Sequence, residues 1–257
     1  MNGLHVAFVG KGGAGKSVVS ATAARLLARR GHRVLALDSD TFPGLSLSLG
    51  ALVPGEPPLN AASEKDENGR WRLRKGIGPM RAIHRFATDA PDGVRLLQAG
   101  KHGPDGLGPV MGAVNAFNAV VHRLRDAPAL RDWAIVGDLS AGPRQTAFDW
   151  APYADRLLVV VEPTWQSMLT ARRIVRIAGA RRDVEPLLVV NKVRDADDAA
   201  RVERELGIPV LAAIPVDEGV RSAERAGAAL LDHAPQSPAV RAIEVLVQRL
   251  CAATVRP

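Results

Sequence analysis

Short apolar runs alternate with longer stretches of helical spacing along most of the chain. Seven runs rich in branched apolar residues are typical of buried strands: residues 4–9, 33–37, 94–98, 133–138, 156–161, 187–190 and 210–215. Helices are predicted between them, at residues 18–30 and 110–125, after Thr164, after Asp217 and at residues 238–253. This alternation predicts an α/β fold in which helices cover both faces of a predominantly parallel, doubly wound sheet.

Residues 51–93 interrupt the alternation. Proline and glycine make residues 54–58 irregular, whereas Arg70–Lys75 alternates like an exposed strand. Trp71, between two arginines, fits either the edge of a hairpin or a ring that stacks on a nucleic-acid base. We predict a single domain over residues 1–257, with residues 51–93 as an insertion that faces a partner.

The segment Gly10–Ser17, GKGGAGKS, satisfies the phosphate-loop pattern G-x-x-x-x-G-K-[ST] at every position. It follows a predicted strand and opens a predicted helix, which is the context that the motif requires. Its four glycines allow successive backbone N–H groups to turn inward and form an anion-binding cradle. Lys16 supplies a charge for the β- and γ-phosphates, and the Ser17 hydroxyl is placed to bind Mg²⁺. The chain is therefore predicted to be a P-loop NTPase.

Acidic residues end two of the predicted strands. Asp38 and Asp40 follow the second strand, and Asp138 closes the strand at 133–138. Ligands bind at the carboxyl ends of strands in doubly wound sheets, so these carboxylates favour a role in holding Mg²⁺ and water. Alternatively, one of the first two caps the next helix. Gly142 lies where its backbone N–H could sense the γ-phosphate.

Two later segments are candidates for contact with the base. Asn191 and Lys192 end the strand at 187–190, where an amide can read a purine edge while the lysine stem covers the base. An asparagine at a strand end also forms turns, so this pattern has two interpretations. Asp217 follows the last strand and is placed to open a helix.

The composition is that of an ordinary globular protein, with 47% hydrophobic and 24% charged residues. The net charge of +7 permits contact with nucleic acid or an anionic surface, but a solvated basic surface explains it as well. Cys251 is the single cysteine, which excludes an internal disulfide, and His102 and His122 lack companions at metal-ligand spacing. No apolar run reaches membrane-spanning length and no signal peptide is visible, so a cytoplasmic protein is expected.

The second lysine of the loop, Lys11, gives it the form K-G-G-x-G-K-[ST], which resembles the deviant phosphate loop of the MinD/ParA class of ATPases. Other segments are similar to that class in the same order. Asp38–Asp40 resembles its first switch, Asp138–Gly142 its second switch, Asn191-Lys192 its base-reading asparagine and Ile214–Asp217 its turn beside the adenine.

This resemblance implies that ATP and Mg²⁺ are the ligands and that the protein forms a homodimer on binding ATP. In such a dimer Lys11 reaches the phosphates of the other subunit, Asp40 orients the attacking water and Asp38 supports the Mg²⁺ shell. The expected catalytic residues are Lys11, Lys16 and Asp40. The expected Mg²⁺ residues are Ser17, Asp38 and Asp138, the aspartates acting through water. The residues expected to bind the nucleotide are Gly10, Lys11, Gly12, Gly13, Ala14, Gly15, Lys16, Ser17, Val18, Gly142, Asn191, Lys192, Pro215, Val216 and Asp217.

Within the class, Val161–Thr164 and Val190–Arg194 resemble segments of the CooC-type ATPases, which assist nickel insertion into carbon monoxide dehydrogenase. That type has a C-x-C pair with which two subunits share a metal. Here the corresponding residues 103–109 contain no cysteine. We therefore expect an ATPase without a tight Ni²⁺ or Zn²⁺ site between its subunits, unless His102 contributes to one.

These patterns support three hypotheses. The first is a Mg-ATPase whose ATP-bound dimer acts on an unidentified protein partner, in the maturation or activation of a metalloenzyme. The second is a partitioning or positioning ATPase that binds DNA or a membrane as a dimer, for which the net charge and the basic C-terminal helix are the support. The third is a nucleotide-binding regulator with negligible hydrolysis, against which Lys16 and Asp40 argue.

Overall fold

The structure, a computed structural model, describes residues 3–42, 44–100, 108–181 and 183–254. The strands are β1 (His5–Gly10), β2 (Val34–Asp38), β3 (Ser63–Lys65), β4 (Trp71–Leu73), β5 (Thr88–Asp89), β6 (Arg95–Gln98), β7 (Ala134–Asp138), β8 (Arg156–Val161), β9 (Glu185–Val193) and β10 (Val210–Pro215). The α-helices are α1 (Lys16–Arg29), α2 (Gly44–Leu49), α3 (Pro79–Phe86), α4 (Gly108–Val121), α5 (Arg144–Ala147), α6 (Trp165–Gly179), α7 (Ala196–Leu206), α8 (Glu218–Arg225), α9 (Leu230–His233) and α10 (Pro238–Thr254).

The central sheet has the strand order β10-β9-β8-β1-β7-β2-β6-β5. Its neighbouring strands are parallel except for β5, which pairs antiparallel with β6 at the edge. The predicted α/β fold with a mostly parallel sheet is therefore confirmed. Because β1 lies between β7 and β8, the loop that follows β1 emerges at the middle of the sheet, beside the ends of its neighbours.

Helices cover both faces, and each face has its own hydrophobic core. Along β1, Val6 and Phe8 point into one core while Ala7 and Val9 point into the other, as the alternation of a strand requires. Helices α1 and α10 pack on the first face, and α4 and α6 on the second. All four of these β1 side chains are buried, which explains why the strand is a nearly continuous apolar run.

The region 51–93 contains more regular structure than its sequence indicates. Strands β3 and β4 form a hairpin in which Lys65 faces Trp71, so the hairpin interpretation of Trp71 is confirmed. Helix α3 was not predicted, yet it buries Ile83 and Phe86 in the core. The hairpin packs closely against α4, as Gly112 of that helix shows. A Cβ atom added to Gly112 would lie only 3.1 Å from the Trp71 ring. That this region faces a partner stays a prediction.

The boundaries of the other predicted elements agree with the structure to within a few residues. Thr164, which the sequence predicts as the cap of the following helix, is the N-cap residue of α6, but its side chain makes no capping hydrogen bond. Leu169, which the helical spacing predicts in the core, is instead 37% exposed. Cys251, which its apolar helical surroundings predict in the core, is only partly buried against it at the end of α10. Within the ranges that the structure describes, no helix is long and apolar enough to cross a membrane.

Candidate nucleotide-binding site

The loop between β1 and α1 has the backbone that its glycines were expected to provide. Gly13 and Gly15 have φ values of 78° and 89°, in the left-handed region that side chains disfavour. Gly10 is required for another reason, since a Cβ there would lie 2.2 Å from the carbonyl oxygen of Val160 on β8. Gly12 is subject to neither restriction, since the atom nearest to an added Cβ would be the methyl carbon of Ala141 at 3.6 Å.

Lys16 and Ser17 begin α1 and point toward the acidic strand ends. Lys16 is buried, and its ammonium lies 3.5 Å from the backbone oxygen of Lys11. The Ser17 hydroxyl donates a hydrogen bond of 2.6 Å to Oδ2 of Asp138. The loop lysine, the hydroxyl and the carboxylate are thus brought together as the motif predicts.

Asp38 and Asp138 lie side by side at the ends of β2 and β7, where they are register partners. Both are buried. Burial, reinforced by the charge of Asp138, raises the pKa of Asp38 well above its usual value. Burial also raises the pKa of Asp138 to about 6, although the Ser17 hydrogen bond and the charge of Lys16 oppose this shift. Two buried carboxylates so close together favour a bound cation.

A magnesium ion fits this set of atoms. Oδ1 of Asp138 is buried and has no hydrogen-bond partner in the described part of the chain, which is costly unless a ligand uses it. The available donors are carboxylate and hydroxyl oxygens of Ser17, Asp38 and Asp138, and Mg²⁺ prefers oxygen ligands together with water. Ser17 and Asp138 would hold the ion, with Asp38 behind them.

Asp40 and Gly142 lie on the two loops that adjoin these carboxylates. The backbone N–H of Asp40 donates to Oδ1 of Asp38 at 3.1 Å, while the half-buried Asp40 carboxylate accepts a 3.3 Å hydrogen bond from the backbone N–H of Phe42. Gly142 donates its backbone N–H to the carbonyl oxygen of Gly10 at 2.9 Å. The N–H expected to sense the γ-phosphate is therefore tied to the phosphate loop in this structure.

Asn191 and Lys192 also contact the phosphate loop. The side-chain amide of Asn191 donates to the carbonyl oxygen of Ala14 at 2.8 Å. The Lys192 ammonium donates to the carbonyl oxygen of Gly13 and pairs with Glu162, both at 2.7 Å. The ammonium of Lys192 is thus bound to the phosphate loop and to Glu162, and that its stem covers the base stays a prediction.

The turn after β10 closes the other end of the site. Asp217 caps α8 as predicted, accepting a 2.7 Å hydrogen bond from the N–H of Gly219, and its second oxygen accepts from Ala239 at the same distance. Both oxygens of Asp217 are therefore used within the fold, which leaves backbone groups for a nucleotide. Pro215 and Val216 line the cleft itself.

A cleft of about 850 Å³ runs from the phosphate loop to this turn, which is room for a nucleotide. Its lining includes Val18, Asn191 and Glu162. Lys11 is half-buried at the rim of the loop and does not line the cleft. The predicted residues that line this cleft are Gly13, Gly15, Lys16, Ser17, Val18, Asn191, Lys192, Pro215, Val216 and Asp217.

Sequence reasoning missed two polar residues at this site, Glu162 and Gln145. Gln145 is buried beside the two acidic loops, and no local pattern marks it because its partner Ser39 is distant in sequence. His102 lies outside the described residues, and His122 is exposed at the end of α4. In the described part of the chain, no group of three His, Cys, Asp or Glu side chains is placed to hold a metal ion.

The fold and the cleft together define a P-loop nucleotide-binding protein. Residues 6–231 match the family described as the CobQ/CobB/MinD/ParA nucleotide binding domain, and the chain belongs to this family. With its complete phosphate loop and oxygen-rich magnesium set, the protein is an ATP hydrolase of the MinD/ParA class, and ATP and Mg²⁺ are its ligands.

Individual relatives agree with this assignment. An uncharacterized ATP-binding protein of Methanocaldococcus jannaschii is 30% identical over 236 residues, covering 87% of this chain and 90% of that protein. The carbon monoxide dehydrogenase accessory protein CooC of Rhodospirillum rubrum is 27% identical over 245 residues, covering 90% and 91%. The cell division ATPase MinD of Pyrococcus furiosus has a similar fold, with a TM-score of 0.72, 21% identity and coverage of 98% and 99%.

Proposed function

We propose that this ATPase closes into a homodimer around ATP and, in that state, acts on a protein partner in the maturation or activation of a metalloenzyme. The proposal of a dimer rests on the position of Lys11. Lys16 already serves the loop's own nucleotide, and the Lys11 ammonium has no hydrogen bond or ion pair to any described residue. A lysine at the rim of the loop is free to reach phosphate held by a second subunit.

Exposed apolar side chains around the cleft support the same proposal. Phe42, Leu47 and Trp165 are 70%, 55% and 62% exposed, respectively. Phe42 follows Asp40 on the first acidic loop, Leu47 lines the cleft, and Trp165 follows the cleft residue Thr164. Large apolar side chains gathered at one rim are typical of a surface that a partner covers. A second subunit placed there would also exclude water from the phosphates.

The proposed roles follow from the positions of the side chains. Ser17 and Asp138 hold Mg²⁺, which when bound supplies positive charge to the phosphate oxygens. Asp40 is the acidic residue of this group that is only half-buried, so it is placed to orient a water molecule. The amide nitrogen of Asn191 is bound to the loop, and its oxygen is left to accept from an adenine amino group.

The similarity to CooC supports a role with a metalloenzyme, since it extends over most of both chains. The chain has no cysteine pair in residues 103–109, so the proposed role does not include carrying a metal between subunits. We propose that ATP-driven closure acts on the partner protein directly. A cytoplasmic location stays a prediction.

A partitioning or positioning function is the second candidate. Its support is the fold similarity to MinD and the net charge of +7. Binding to DNA through lysine and arginine would weaken steeply with salt, by about tenfold or more for a fourfold rise in concentration. Titration of duplex DNA with the ATP-bound protein at two salt concentrations tests this candidate.

Trapping the ATP-bound form separates the two candidates. Asp40→Ala is expected to retain ATP without hydrolysing it, whereas Lys16→Ala is expected to bind ATP poorly. Affinity purification of both variants with Mg-ATP identifies the proteins that depend on the ATP-bound state. A metalloenzyme recovered with Asp40→Ala alone supports the first proposal, and salt-sensitive DNA binding by that variant supports the second. Recovery of neither contradicts both.

A further inference from the structure

Gln145 joins the two loops that carry the acidic residues of the site. It lies on α5, three residues after Gly142, and its side chain is buried. Its oxygen, Oε1, lies 2.7 Å from the Ser39 hydroxyl and accepts a 2.7 Å hydrogen bond from the backbone N–H of Ser140. Its nitrogen, Nε2, donates to the carbonyl oxygen of Ser39 at 3.0 Å. One side chain therefore holds Ser39 at both its backbone and its hydroxyl.

The position of Ser39 gives this bridge its importance. Ser39 lies between Asp38 and Asp40, so any movement of Ser39 moves the carboxylates on either side. Other hydrogen bonds also join the loops. The backbone N–H and the hydroxyl of Ser39 lie 3.1 Å and 2.8 Å from the carbonyl oxygen of Asp138, and the Ser140 hydroxyl lies 3.4 Å from the carbonyl oxygen of Ser39. The contacts with Asp138 lie at the strand ends, whereas Gln145 also binds the carbonyl oxygen of Ser39, on the side of Asp40.

At its other end the bridge reaches the phosphate loop. Gln145 follows Gly142, whose N–H is bonded to the carbonyl oxygen of Gly10. An anion that attracts this N–H would shift Gly142, and α5 begins only two residues later. Since Gln145 lies in that short helix, the shift would be passed to Ser39 and from there to Asp40.

We propose that Gln145 is a positioning residue for ATP hydrolysis, which makes the loop of Gly142 and the loop of Asp40 move as one unit. Gln145 makes no contact with the phosphate loop itself among the hydrogen bonds of the described residues. It acts through Ser39 and Ser140. Its removal therefore affects the rate of hydrolysis more than the binding of ATP.

The test replaces Gln145 with a side chain of similar size that cannot hydrogen-bond. Gln145→Met is compared with Gln248→Met, the same substitution at an exposed position of α10. We expect kcat of Gln145→Met to fall between about tenfold and a hundredfold, because misplacement of a catalytic loop by an ångström costs this much, while KM for ATP changes by less than about threefold. Gln248→Met should match the unmodified protein in both constants.

Amide hydrogen exchange distinguishes coupling from simple structural support. Mg-ATP should slow exchange in both residues 39–42 and residues 139–142 of the unmodified protein. In Gln145→Met it should slow residues 139–142 only. Loss of folding alone would instead lower the melting temperature and raise exchange in both segments without ATP.

If Gln145→Met is too unstable to assay, Ser39→Ala removes the hydroxyl end of the same bridge and is held to the same criteria. Where Gln145→Met is stable, the double variant Ser39→Ala/Gln145→Met should lose no more activity than the more impaired single variant, since both changes act on one bridge. The proposal is overturned if the single variants turn over at the unmodified rate, if kcat and ATP affinity fall together, or if both loops still respond to ATP as one.

Discussion

Lys16, Asp38 and Asp138 place three ionisable side chains inside the protein around one loop. Burial raises the pKa of both acids, and the charge of Asp138 adds to this effect at Asp38. At Asp138 the Ser17 hydrogen bond and the positive charge of Lys16 oppose the effect of burial on the pKa. Lys16 therefore stabilises the buried carboxylate in addition to its proposed role at the phosphates.

The first prediction follows from this dual role. Lys16→Ala should lower ATP hydrolysis by at least about a hundredfold, since it removes a charge aimed at the transferred phosphoryl group. It should also weaken ATP binding, because the phosphates lose their closest side-chain charge. Turnover and ATP affinity are measured beside Lys75→Ala, which removes an exposed lysine of region 51–93. Normal turnover by Lys16→Ala would refute the assigned site.

The second prediction ranks the loop glycines by their geometry. Gly12→Ala should leave the free energy of unfolding within about 0.5 kcal/mol of its original value, because its φ and its surroundings accept a methyl group. Gly13→Ala should cost about 1–2 kcal/mol, for the left-handed φ of 78° alone. Gly15→Ala should cost more than Gly13→Ala, because its Cβ would also lie 2.3 Å from the Asn191 amide.

Urea unfolding of the three glycine variants without nucleotide checks the order. The measurement is independent of catalysis, so it tests the loop geometry alone. Equal losses at Gly12 and Gly15 would contradict the backbone described here.

At the scale of single residues, the sequence predicts those whose roles depend on their neighbours in the chain. The phosphate loop could be predicted because its glycines, lysine and serine act together with the adjacent backbone. Asn191 and Lys192 were placed at the right strand end, but their bonds to Ala14 and Gly13 depend on how two distant strands meet. Gln145 was not predicted at all, since its partner on the other acidic loop, Ser39, lies 106 residues away in the sequence.

At the scale of elements, a buried arginine holds α1 to three other segments. Arg25 is 2% exposed and donates to Asp92 in the short turn Pro91–Gly93, to Asp232 in α9, and to the backbone oxygen of Leu49 at the end of α2. Both carboxylates lie 2.6 Å from the guanidinium. A buried guanidinium is tolerated only when it is paired in this way.

The third prediction concerns this cluster. Asp92→Asn and Asp232→Asn should each lower the free energy of unfolding by about 1–3 kcal/mol, because the buried Arg25 loses a charged partner. The loss at Asp232 should be the smaller, since its side chain is 49% exposed, against 21% for Asp92, and water screens the pair. Asp126→Asn, at an exposed position without an ion pair among the described residues, is the matched control.

The same cluster predicts a dependence on pH. Hydrogen bonds from Arg25 lower the pKa of Asp232. At Asp92, burial acts to raise the pKa, but the hydrogen bonds from Arg25 and Arg29 outweigh burial, and the pKa of Asp92 is lowered as well. A carboxylate with a lowered pKa stabilises the fold fully above its usual value of 3.8, and this stability is lost as pH falls through the lowered pKa. Unfolding curves of the original protein and the Asn variants should therefore converge below pH 3.8. A constant gap at all pH values would contradict the ion pairs.

Strands with an unbroken apolar run were predicted well, whereas several helices were missed, including the 11-residue α7 with Asp195 as its N-cap and Gly207 at its end. Strand β8 agrees at both ends, because its unbroken apolar run fixes its limits. Helix α3 was missed since it spans only two turns and follows the irregular segment 74–78. The antiparallel edge strand β5 has two residues, too few for any periodicity to appear.

At the scale of the whole molecule, strand order decides which residues meet. Strand β1 lies between β7 and β8, and β2 lies beside β7, so Ser17, Asp38 and Asp138 converge although they are far apart in sequence. The parallel sheet was predicted, but its order was not, because periodicity gives no information on neighbours. Lys16, Ser17 and Asp138 meet within one chain, whereas the Lys11 ammonium has no hydrogen bond or ion pair among the residues that the structure describes, and this asymmetry leads to the last prediction.

The last prediction separates ATP binding from dimer formation. Lys11→Ala should bind ATP nearly as well as the original protein, because Lys16 still holds the phosphates. It should fail to dimerise with ATP and fail to hydrolyse it, since the charge that a second subunit supplies to the transferred phosphoryl group is missing. Asp40→Ala should show the reverse behaviour and accumulate as an ATP-bound dimer. Light scattering of each variant with Mg-ATP, beside its nucleotide affinity, measures both properties, and Lys75→Ala controls for the loss of one positive charge. Normal dimerisation and turnover by Lys11→Ala would mean that each subunit works alone, with Lys11 as an ordinary solvated lysine.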